Sequence, residues 1–165
     1  MSARTLSAAV LALSLSARAD EPKAEPKDAH AAGVDHRGDH GMGFSHAKTA
    51  HHFGLTKTGG FISADAKSAD DAKSRDAIRG HFQHIAKAFK QGHFEMPMFI
   101  HGKTPPGVPA MKRLAKEIDY SVEQTQSGGK VVIKTDNAEA LEAVHQFLQF
   151  QIEDHRTGDS TAVLE

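Results

Sequence analysis

Nine consecutive residues, His93 to His101 (HFEMPMFIH), carry two imidazoles, two thioethers and one carboxylate. Thioether sulfur is a soft donor that favours Cu(I), whereas imidazole serves Cu(I), Cu(II) and zinc. His93, Met96, Met98 and His101 therefore form a candidate copper cluster, with Pro97 stiffening the backbone between the methionines. The same stretch has a simpler use, since Phe94, Met96, Phe99 and Ile100 could anchor a connecting segment to a core. The whole chain holds 12 histidines and no cysteine among its 165 residues. Without thiols, the classes excluded are disulfide scaffolds, zinc fingers, iron–sulfur ligation, thiol catalysis and C-x-x-C-H haem attachment. Ligation by histidine and methionine is what remains.

The elements that would position these groups follow from periodicity. Ile118, Tyr120 and Val122 alternate with polar residues, as do His51, Phe53 and Leu55, so both stretches read as half-buried strands. Each is followed by a Gly-Gly pair (Gly59-Gly60, Gly128-Gly129), a second strand and an amphipathic helix. Ile78, Phe82, Ile85 and Phe89 form the apolar stripe of the first helix, and Leu141, Val144, Leu148 and Ile152 that of the second. The expected fold is α+β: two ββα repeats making a four-stranded antiparallel sheet with two helices packed on one face. Repeat one spans 49–92 and repeat two 118–155. Between them lies a proline-rich connector, 93–117, expected to be largely loop with a short helical turn over 109–117.

That frame sorts the other histidines. His145 falls within the apolar stripe of the second helix, and His155 returns to the same face at about 100° per residue. His81 flanks the stripe of the first helix, with His84 following one turn on towards solvent. His51 lies on the inner face of its strand and His52 on the outer. The expected inner site is His51, His81 and His145, with His52, His84 or His155 as further ligands. Three imidazoles around one cavity would bind copper or zinc. A single histidine on an apolar face is more commonly a hydrogen-bonded core residue, so convergence of the three is the deciding geometry.

The N-terminus reads as an address. Arg4, an apolar stretch from Leu6 to Leu15 and the A-x-A pattern Ala17-Arg18-Ala19 have the form of a signal peptide over 1–19, cleaved after Ala19. Export to the periplasm or beyond is the expectation, with no stable membrane insertion after cleavage. The mature chain would carry 18 basic and 21 acidic side chains, a charge of −3 that gives no electrostatic reason for a nucleic-acid partner. Residues 20–45 are poor in large apolar side chains and are expected to form a flexible tail whose His30, His36 and His40 alternate with aspartates. A single domain over 46–159 and a frayed end at 160–165 complete the plan.

The blocks MGFSHAKTAHHF (42–53), SRDAIRGHFQHIAKAF (74–89), TPPGVPAMKRL (104–114) and ALEAVHQFLQFQIEDHRTGD (140–159) resemble a family of small, often exported bacterial proteins. The resemblance covers about residues 42–159, its members being exported or of unassigned location, and it carries no catalytic residue. No G-x-S-x-G elbow, P-loop or dinucleotide fingerprint occurs in the chain. The functional expectation is an exported metal-binding protein, copper first and zinc second, acting as carrier, sensor or resistance factor. The alternatives are a haem-binding protein or small enzyme using the same histidines, or a structural module whose uncovered sheet face pairs with a second copy or an envelope partner.

Overall fold

The computed structural model describes residues 27–165, so the expected signal peptide and the first part of the expected tail lie outside the described residues. The elements run α1 (Lys27–Met42), β1 (Thr49–Thr56), β2 (Gly59–Ala66), α2 (Ala72–Lys90), α3 (Glu95–His101), α4 (Val108–Arg113), a 3-10 turn (Ala115–Glu117), β3 (Asp119–Gln124), β4 (Gly128–Lys134), α5 (Ala138–His155) and β5 (Val163–Leu164). The protein is α+β with a mixed sheet in the order β3-β4-β2-β1-β5. The four longer strands are antiparallel to their neighbours, and β5 adds a parallel fifth by pairing Val163 and Leu164 with Leu55 and Thr56. The expected four-stranded antiparallel sheet and plain ββα repeats are thus corrected by β5 and by three additional helices.

Hairpin register explains the paired glycines. Gly59 and Gly128 open the two central strands, and each faces the backbone of the other hairpin. A Cβ at Gly59 would collide with the carbonyl oxygen of Ile133, and one at Gly128 with that of Ala64. The central β2–β4 pairing therefore requires glycine at both positions.

The long helices start where their caps dictate. Asp71 accepts from Ser74 N at 3.0 Å, and Asn137 accepts from Glu139 N and Ala140 N at 2.9 and 3.1 Å. One core joins them to the inner sheet face: Ile78, Phe82, Ile85 and Phe89 of α2, Val144, Phe147 and Leu148 of α5, and Phe53, Leu55, Ile62, Val131 and Ile133 from the strands. Full burial of each such side chain contributes on the order of 2 kcal/mol. The stripe on α5 is rotated from expectation, because Phe147 and Gln151 are buried while Leu141 is only partly so.

Three segments depart from the sequence reading. Residues 27–42, expected within a flexible tail, form α1. The helix has no apolar stripe of its own and is held by tertiary contacts: Ala31 and Val34 are buried, Arg37 Nε donates to Ile100 O at 2.8 Å, and Arg156 donates to Asp35 at 3.1 Å. Residues 95–101, expected to be loop, form α3. Pro97 is tolerated there because first-turn N–H groups lack intrahelical partners, and Gly102 ends the helix in the left-handed region at φ 66°. The C-terminal residues, expected to fray, lie along β1, where Asp159 accepts from Phe53 N at 3.0 Å before β5 pairs.

Candidate functional site

A cavity of about 50 Å³ lies between the inner sheet face, α2, α3 and the end of α5. It is lined by four histidines from four elements: His51 of β1, His81 of α2, His101 of α3 and His155 of α5. Phenylalanines and the thioethers of Met42 and Met96 complete much of the wall. Just beyond α1, Phe44 stacks on the His51 ring and meets the His81 ring edge-on, both with centroids 5.6 Å apart.

The pairing of these rings differs sharply. His101 is 2% exposed and fully committed: its Nδ1 donates to Asp154 at 2.6 Å, and its Nε2 lies 3.0 Å from Gln151 Oε1. The Gln151 amide nitrogen, also buried, has no partner. Asp154 also accepts from His30 of α1 at 3.0 Å. Burial pulls the Asp154 carboxyl upward, but the His101 and His30 bonds outweigh it and hold it below its ordinary value.

His51, by contrast, has a buried Nε2 with no hydrogen-bond partner. Burial, with smaller contributions from His52 and His46, pushes its pKa down to about 4. Burial, then His51 and His84, does the same to His81, also to about 4. Burial, then His101 and His51, pushes His155 down to about 3. All three are neutral imidazoles at physiological pH, the form that ligates metals. The His51 and His155 rings are nearly parallel, 14° apart in plane, with centroids separated by 6.1 Å. His101 and His155 are 4.9 Å apart and nearly perpendicular.

The expected trio of His51, His81 and His145 does not converge. His145 Nε2 lies 2.9 Å from Thr56 O and 3.1 Å from Gly59 O, donating to the β1–β2 turn and tying it to α5. Residues 145 and 155 stand about 15 Å apart along one helix at its usual rise, so both cannot reach one cavity. His155 takes the place expected of His145. His52 lies on the outer sheet face, where its Nδ1 pairs with Asp159 at 2.9 Å. The expected loop cluster is also divided. Helical geometry puts residues 96 and 98 about 200° apart around α3; Met96 reaches the cavity and Met98 does not. His101 is in the cavity wall, while His93 lines a separate surface cleft with His84.

Of the tail histidines, His30 holds Asp154; His46, at the start of the expected domain, bonds Asp39 at 2.9 Å and approaches Asp35 to 3.7 Å. Sequence reasoning missed Gln151, Asp154, Met42 and Phe44. The first two left a signal, since Gln151, Asp154 and His155 recur at i, i+3 and i+4 on the end of an otherwise apolar stripe.

Among the described residues no three His, Asp or Glu side chains stand close enough together to hold one ion as placed. No described helix is long and apolar enough to cross a membrane. Comparisons with protein-family models, curated proteins and solved structures found no match.

Proposed function

We propose that this protein binds a soft metal ion, Cu(I) first and zinc second, in the histidine-lined cavity, with His51 and His155 as the ligand pair. The supporting observation is the unpartnered, buried Nε2 of His51 in an apolar cavity that it shares with a second neutral imidazole. A buried polar atom without a partner calls for an explanation, and a bound ion is one. Two imidazoles on opposite sides of one ion have ring centroids about 6 Å apart, given metal–nitrogen distances of about 2 Å. The 6.1 Å between His51 and His155 is of that size, but the two rings are stacked, so one ring must turn to bring its in-plane nitrogen lone pair onto a shared ion. Cu(I) suits a two-imidazole set with thioethers nearby, whereas zinc requires more ligands than the pair offers. Met42 and Met96 are the soft donors in the wall, and His81 is the remaining neutral imidazole. The His101–Asp154–Gln151 network packs against His155 and holds the end of α5 in place.

The reading includes export through residues 1–19 as a signal peptide, which N-terminal sequencing of the protein recovered from a periplasmic fraction checks. The metal reading is tested by anaerobic Cu(I) titration against a coloured chelator, with zinc in parallel. Stoichiometric uptake that is lost in His51→Ala and His155→Ala but retained in His52→Ala supports it. No uptake of either ion at micromolar concentration overturns it. A Soret band on haem addition would transfer the same histidines to the haem reading.

A further inference from the structure

A second cleft, on the surface between α2 and α3, is lined by His84, His93, Glu95 and Met96. It has a volume of about 370 Å³, and both of its histidines are exposed. The residues it shares with the inner cavity are Ile85, Phe89 and Met96. These three are the partition between outside and inside. Ile85 and Phe89 have no donor atom, so the Met96 thioether is the one group in the partition able to hold a metal.

Resting on the metal reading above, we propose that this cleft is the entry port: His84 and His93 capture Cu(I) at the surface, and the Met96 sulfur passes it through the partition to His51 and His155. No bond is made or broken beyond metal–ligand exchange, and no electron moves. Each step exchanges one nitrogen or sulfur lone-pair donor for another, so the ion keeps its charge. A rival approach exists, since His51 and His155 also line a cleft containing Asp35, Lys67 and Arg156. That route presents Lys67 and Arg156 against one carboxylate, Asp35, whereas the proposed cleft balances Lys87 with Glu95; the Arg156–Asp35 pair, 3.1 Å long, also spans the rival's wall. A positive ion is disfavoured there.

The test follows the rate at which the full chain takes Cu(I) from a coloured chelator by stopped flow, together with the final occupancy. In Met96→Leu, which keeps the volume and removes the sulfur, loading should slow about tenfold, equivalent to roughly 1.4 kcal/mol at the exchange barrier. The surface double variant His84→Ala/His93→Ala should slow loading comparably without touching the core. Met96 also lines the inner cavity, so unchanged final occupancy, within a factor of about two, is expected of this double variant rather than of Met96→Leu. Wild-type rates in both variants, with occupancy intact, overturn the port and leave the His51–His155 pair standing. Faster loading in Arg156→Gln, with wild-type rates in the cleft variants, overturns it in favour of the rival route. If the wild-type chain takes up no Cu(I), the metal reading itself has failed.

Discussion

His145 and His155 ride on the same helix and share one residue type, yet their surroundings are opposite. His145 Nε2 has two backbone carbonyls within 3.1 Å and stitches a hairpin turn to α5. His155 faces His51 across an apolar cavity, and burial holds both in the neutral form. The difference separates an imidazole used as a structural donor from imidazoles kept neutral and available. Apolar-face position alone does not distinguish the two uses; hydrogen-bond satisfaction does.

The largest expected effect breaks the available side of this comparison. His51→Ala or His155→Ala should weaken Cu(I) binding by more than the roughly 10–100-fold typical of outer-shell changes, measured by chelator competition. Binding within a factor of about two of wild type would place the ion elsewhere.

Next comes the structural side. His145→Ala leaves the Thr56 and Gly59 carbonyls without their donor and should destabilise the fold by about 1–3 kcal/mol in urea unfolding. Cu(I) affinity should not change. Loss of metal binding with little loss of stability would reverse the roles assigned to the two histidines.

Acid should sharpen the contrast further. His51, His81 and His155 titrate near 4, 4 and 3 in the folded state, below the ordinary histidine value of 6.5. As pH falls below 6.5 the unfolded chain binds protons that the folded chain refuses, so stability falls with pH until these groups also protonate in the folded state. The melting temperature should therefore drop between pH 6.5 and about 4. This window lies above that of Asp154 and Asp159, whose lowered pKa values contribute stability lost below the ordinary aspartate value of 3.8. His51→Leu should flatten the histidine window. It should also raise stability at neutral pH by on the order of 1 kcal/mol, because an orphaned polar atom is removed. A melting temperature independent of pH across that range would mean that the cavity histidines are not held neutral.

The smallest effect is expected at His52, half exposed on the outer sheet face and paired with Asp159. His52→Ala should change stability by no more than about 1 kcal/mol and leave Cu(I) binding intact. A large binding loss there would move the site to the outer face.

Much of the frame was legible from pattern. Alternation along 51–55 and 118–122 put the right residues on the inner face, and the stripe of Ile78, Phe82, Ile85 and Phe89 matches the buried face of α2. Of the expected inner site, His51 and His81 reach the cavity and His145 does not; of the loop cluster, Met96 and His101 reach it. The failures share a cause. α1 carries no apolar stripe, and its helix depends on contacts with residues far along the chain, such as Arg37 with Ile100 and His30 with Asp154. The grouping of His93 to His101 treated sequence neighbours as spatial ones, and one turn of helix dispersed them.

The amino-acid sequence by itself determined that this is a cysteine-free α+β chain with two hairpins, two long amphipathic helices and histidines on their inner faces. Those properties are periodicities and side-chain chemistries, which each segment expresses locally. Tertiary structure alone decided which histidines meet and which are already hydrogen-bonded. The rotation of α5, the docking of α1 and the folding of α3 depend on packing between segments far apart in sequence, and no local pattern encodes those distances.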